Sequence, residues 1–140
     1  MSNTNAEEDT KRNDRCRGLL ESTLKNNKKV HKLLDGISEL GCKIPKDFFS
    51  CQSCPTDIPI AGGFSICSGD EKDYKPQVVL CDNKILERES FENAVIHELV
   101  HAYDQCRIKM DWKNCFHHAC TEIRASSLSG ECAFLHEVYR

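Results

Sequence analysis

His97-Glu98-Leu99-Val100-His101 combines residue types and a spacing that suit metal-assisted hydrolysis. Residues four apart lie on one face of an α-helix, about one turn apart. His97 and His101 can therefore aim both imidazoles at one ion. Glu98, beside the first of them, can take a proton from the attacking water and pass it to a leaving amine. Peptide-bond hydrolysis on zinc is the chemistry this pattern implies.

Five residues can coincide by chance, so the flanks matter. Phe91 to Asp104 runs without Gly or Pro. Ser90 is the expected N-cap, with Glu92 in the first turn where negative charge suits the helix dipole. Phe91, Ala94, Val95, Ile96, Leu99, Val100, Ala102 and Tyr103 make the helix apolar on most sides, which predicts burial. Buried His and Glu cost free energy unless something satisfies them, and a metal does so. The alternative is a buried helix whose histidines bond only to neighbours.

Catalytic zinc sites commonly hold three protein ligands. The short HExxHxxGxxH spacing is absent, because Gln105, Cys106 and Arg107 follow Asp104. A carboxylate on a second helix is the remaining choice. Glu122, followed by small Ala125 and Ser126, is the expected third ligand. His118, four residues earlier on the same face, is its rival. An ion pair with Arg124 is the bland reading of Glu122. Asp104 is read either as a partner that orients an imidazole or as a solvated helix-end residue.

The elements that must position these groups are modest. The chain has 140 residues, enough for one domain with a small core. Residues 1–15 are polar and mixed in charge, predicting a disordered tail before a catalytic domain over 16–140. No secretory signal or membrane span is read. A formal net charge of −3 gives no pull toward nucleic acid, and no direct nucleic-acid binding is expected. Ten cysteines point to an oxidising compartment and disulfides. The competing reading is a structural zinc site at Cys51-Gln-Ser-Cys54, a lone CxxC. An oxidising compartment without a secretory signal fits the mitochondrial intermembrane space.

Cys16 to Leu40 reads as one helix stopped by Gly41, with Gly36 weakening its last turn. Lys25, Lys28, Lys29 and Lys32 read as its solvated face, with membrane or partner contact as a lesser alternative. Residues 63–67 and 77–81 read as strands of a small antiparallel sheet, joined by a turn at 68–73. An edge of that sheet could hold a substrate chain extended. Residues 108–114 read as a connector in which Trp112 is core or hinge packing. Helical pattern resumes over 115–139, with Gly130 a possible break.

The run 97–104, Asp111-Trp112 and the run His118 to Cys132 resemble the mitochondrial inner membrane metalloprotease that doubles as an ATP synthase assembly factor. Leu33 to Gly36, Gly41-Cys42, Phe49 to Cys54 and Val79 to Asn83 are similar too. The resemblance spans about Cys16 to Tyr139. Members usually continue past the position of Arg140, with further cysteines and basic residues. The resemblance implies a peripheral inner-membrane enzyme of the intermembrane space with oxidised cysteines. Its substrate would be the precursor of a mitochondrially encoded ATP synthase membrane subunit, and it would also assist assembly of that sector. His97 and His101 match the family's metal ligands, and Glu98 its catalytic glutamate.

The expected fold is therefore α+β: a single zincin-like, minimal gluzincin-type domain. It comprises an N-terminal helix, the sheet, the HExxH helix and a C-terminal ligand helix, acting as a monomer with one Zn2+. A non-catalytic assembly chaperone with a vestigial metal site is the second reading. A DNA-repair scaffold, suggested by Ku-binding names among vertebrate relatives, finds no basic cluster to support it.

Overall fold

A computed structural model describes residues 2–67, 75–84 and 87–132. It is a small α+β domain of four described helices, α1 (Ser2–Asn26), α2 (Lys28–Glu39), α3 (Arg88–Ile108) and α4 (Cys115–Ser129). Its strands are β1 (Phe49–Gln52), β2 (Gly62–Cys67) and β3 (Lys75–Cys81), ordered β1-β3-β2.

β3 is central because Val78 and Leu80 are buried completely, which suits a continuous apolar run covered on both faces. β2 pairs with it antiparallel, Phe64 opposite Val78, as expected. β1 adds a parallel third strand, Phe49 opposite Val78, so the sheet is mixed rather than purely antiparallel. Four residues give too short an alternation to announce a strand. The turn expected at 68–73 lies outside the described residues.

The single helix expected over Cys16–Leu40 is two. Asn27 adopts extended backbone and its side chain accepts from the Val30 N–H, capping α2. Gly36 does not end α2, because it faces Tyr103, whose ring a Cβ would meet at 3.0 Å. Gly41, at φ +86°, ends the segment as expected. Residues expected to form a disordered tail are helical instead. Glu7–Lys11 and Glu8–Arg12 pair one turn apart. Asn13 donates to the Cys51 carbonyl and to Asp82, both at 3.0 Å. Composition alone hides such pairing.

Among the described residues three disulfides tie these elements together: Cys16–Cys51, Cys42–Cys106 and Cys54–Cys81. Cys51 and Cys54 thus belong to two different bridges, which removes the CxxC zinc reading. Closing loops of this length stabilises a fold by typically 2–4 kcal/mol each. The core they enclose centres on Phe91, Val95, Leu99 and Val100 of α3, packed against Val30, Ile37, Val78 and Leu80. Each such side chain contributes about 1.5–3 kcal/mol on burial. α3 begins earlier than expected, at Arg88 after the N-cap Glu87, so Ser90 lies inside the helix and Glu89, not Glu92, occupies its first turn.

Candidate metal centre and cleft

α3 carries His97, Glu98 and His101, and α4 packs across them. Asn114 starts α4 by accepting from the Phe116 and His117 N–H groups, and Gly130, at φ +91°, ends it. That register sets Glu122 above the histidine pair. Its two carboxylate oxygens lie 3.3 Å from His97 Nε2 and 3.1 Å from His101 Nε2. One ligand atom from each of His97, His101 and Glu122 falls within 4.8 Å of the others. His118 stands at the rim, its Nε2 3.6 Å from Glu122.

The other ring nitrogens show which way the imidazoles point their lone pairs. His101 Nδ1 lies 3.0 Å from Thr121 Oγ1, and Thr121 donates its own proton to Asp104 at 2.9 Å. Thr121 Oγ1 is thereby left to accept from His101 Nδ1–H. His97 Nδ1 lies 3.1 Å from the Glu131 carboxylate, which only accepts when ionised. In their neutral form both rings thus carry the proton on Nδ1 and turn a bare Nε2 toward Glu122. Two nitrogen lone pairs and a carboxylate converge with no proton between them, an arrangement that repels unless a cation sits among them. Burial also lowers the His101 pKa, keeping the ring neutral as a ligand must be.

Asp104 is buried, not solvated, and accepts from Thr121 and from Arg124 Nε at 3.1 Å. Arg124 thus serves Asp104 rather than pairing with Glu122. Thr121 and Glu131 were not singled out in the sequence. Thr121 precedes Glu122, and only its helical phase against α3 reveals its use. Glu131 lies past the Gly130 reversal, where helical spacing no longer applies.

Glu98 is 8% exposed. Burial pushes its carboxyl up to about 7, opposed by neighbouring His97 and reinforced by Glu122 and Glu131. It also accepts from the backbone N–H of Phe64. That N–H points away from β3, so the free edge of β2 faces the cleft. Gly62 permits the approach: a Cβ there would meet the Val79 carbonyl at 2.8 Å and Glu98 Cγ at 3.6 Å.

The cleft has a volume of about 700 Å3 and is walled by Ile60, Gly63, Phe64 and Trp112. Trp112 is not core or hinge packing alone. Its ring lies 5.8 Å from His101 and 6.1 Å from Phe64, and Nε1 donates to Gln105 at 2.8 Å.

Comparison with known proteins agrees with this geometry. The Peptidase M76 family matches residues 14–140. The chain belongs to the peptidase M76 family. Relatives of this M76 member include mitochondrial inner membrane protease ATP23 homologs. That of Homo sapiens is 39% identical over 130 residues, covering 91% of this chain and 49% of the relative. That of Mus musculus is 39% identical over 131 residues, covering 92% and 61%. The mitochondrial inner membrane protease atp23 of Schizosaccharomyces pombe is 33% identical over 129 residues, covering 92% and 64%. The chain thus spans 49% to 64% of the length of these relatives. No solved structure matches it.

Proposed function

We propose that this M76 chain is a zinc-dependent metalloendopeptidase with a zincin-like domain, working in the mitochondrial intermembrane space at the inner membrane. The observation that carries this reading is the convergence of two bare Nε2 atoms and the Glu122 carboxylate beside a buried Glu98 in an open cleft. His97, His101 and Glu122 would hold the ion, and the N2O donor set with neutral imidazoles fits zinc. When bound, the metal supplies Lewis-acid polarisation of a carbonyl and a more acidic water.

The chain's own residues do the rest. Glu98, with its carboxyl poised near neutrality, takes a proton and returns it to the departing amine. The free edge of β2 offers backbone groups to an extended substrate strand. Phe64 and Trp112 give one cleft wall an aromatic surface that excludes water. Thr121, Asp104 and Glu131 keep the imidazoles oriented.

The proposed substrate is the precursor of a membrane-embedded ATP synthase subunit, with help in its assembly as a second task; both rest on the sequence resemblance. Peripheral attachment fits the names of the relatives and the finding that no described helix is long and apolar enough to cross a membrane. Metal content and peptide cleavage of Glu98→Gln test the mechanism. Expected are retained metal and a kcat lower by about 1000-fold. Undiminished cleavage would remove the mechanism. Metal-free wild-type protein that still promotes assembly would favour the chaperone reading.

A further inference from the structure

We propose that a groove on the face of α3 away from the cleft, rimmed by Lys43, Lys46 and Lys75, is where the protein lies on an anionic lipid bilayer. This rests on the reading of peripheral membrane attachment and assigns it a surface. The groove has a volume of about 620 Å3. Buried Ile37, Phe48 and Ala102 form its apolar floor. Ala102 and Cys106 each lie five residues past a metal-facing histidine, about 140° round the helix. A surface covering the groove therefore leaves the cleft open to water and substrate.

Charge complementarity identifies the occupant. The chain is net negative at −3, yet every charged residue lining the groove is a lysine. Among the described residues, Asp47 is the acid paired with a groove lysine, Lys75. Lys43 and Lys46 are exposed. No Ser, Thr, Asn, Gln or Arg lines the groove. A fixed acidic partner would be met by forked, directional donors such as Arg, whereas lysine is a mobile point charge on an apolar stem. Such stems lie along apolar surface while their heads reach a fluid layer of phosphates. Two residues from the Cys42–Cys106 bridge, Leu40 and Ile108 add exposed apolar side chains, 47% and 49% accessible. The lysines of α2 lack such a floor, and Lys29 instead reaches the Leu128 carbonyl.

Sedimentation of the full chain with phosphatidylcholine vesicles, with and without phosphatidylglycerol, tests the assignment. Wild type is expected to bind only the anionic vesicles, less so as salt rises. Lys43→Gln/Lys46→Gln should bind them about 25-fold more weakly, at about 5-fold per lysine. Lys28→Gln/Lys32→Gln, on exposed α2 positions, should bind like wild type. Circular dichroism would verify that both variants fold. Equal binding by the Lys43/Lys46 variant, or loss in the α2 variant instead, overturns the groove while leaving peripheral attachment standing. A wild type that binds neither vesicle overturns both, and capture on immobilised acidic peptide would then point to a protein partner.

Discussion

The three converging groups come from two helices held in different ways. α3 buries ten residues, and Cys106 near its end is bridged to Cys42. α4 buries only Thr121, Ala125 and Ser129, and leaves Phe116 83% and Ile123 69% exposed. Its cysteines, Cys115 and Cys120, are free, as is Cys132 just beyond it. The histidine pair is thus fixed deep in the core, whereas Glu122 is placed by a shorter buried seam, Thr121, Ala125 and Ser129 against α3. The difference teaches that the metal would act as a fastening between the helices, not only as a reagent.

Removing the α4 contribution should have the largest effect. Glu122→Ala is expected to weaken zinc binding by more than the roughly 100-fold that loss of a ligand's supporting partner can cost. His118→Ala should leave affinity within a few-fold, because its Nε2 stands further out. Titration against a competing chelator measures both. The reverse ranking would hand the third ligand to His118.

The α3 half holds a strained group of its own. In metal-free protein the Glu98 carboxyl sits at about 7 against an ordinary 4.5. An acid raised on folding favours the fold most below pH 4.5, and that support is lost as pH rises through 7. Metal-free Glu98→Gln should therefore be more stable than wild type at pH 8, by about 3 kcal/mol at full effect, and little different at pH 4. Urea unfolding at the two pH values checks this. Equal stability at both would mean that Glu98 carries no burial penalty.

How far these two halves were legible follows from the same contrast. The HExxH helix declares itself because both its histidines and its apolar faces obey one local period. Glu122 was reachable as a carboxylate on a second helix, since small residues beside it predict close packing. Thr121 and Glu131 were not, because their partners lie 20 and 34 residues away. β1 and the break at Asn27 also escaped, one through shortness and one because a side-chain cap interrupts an otherwise continuous stripe. The start of α1 at Ser2 escaped too, because charged i,i+4 pairs leave no apolar signature.

If metal fastens α4 to α3, chelation should loosen the two unequally. At metal a hundredfold above its Kd, binding stabilises the fastened state by about 2.7 kcal/mol. Amide exchange in α4 should accelerate by up to about 100-fold on metal removal, while the core amides around Leu99 and Val100 stay protected. Uniform acceleration would show that the helices open as one unit and would dissolve the comparison.

The smallest effect probes the seam itself. Thr121→Val keeps the shape of the side chain but removes the hydroxyl that joins His101 to Asp104. His101 Nδ1–H then lacks its acceptor in a buried setting, and the ring loses what holds its Nε2 toward the site. Zinc affinity should fall about 10- to 100-fold, with Thr121→Ser restoring it. Glu131→Ala makes the matching change at His97, where the partner's side chain is 40% accessible and water can substitute. Its cost should be the lower of the two. Equal costs at the two positions would mean that orientation of the imidazoles does not depend on burial, and that α4 supports the site through Glu122 alone.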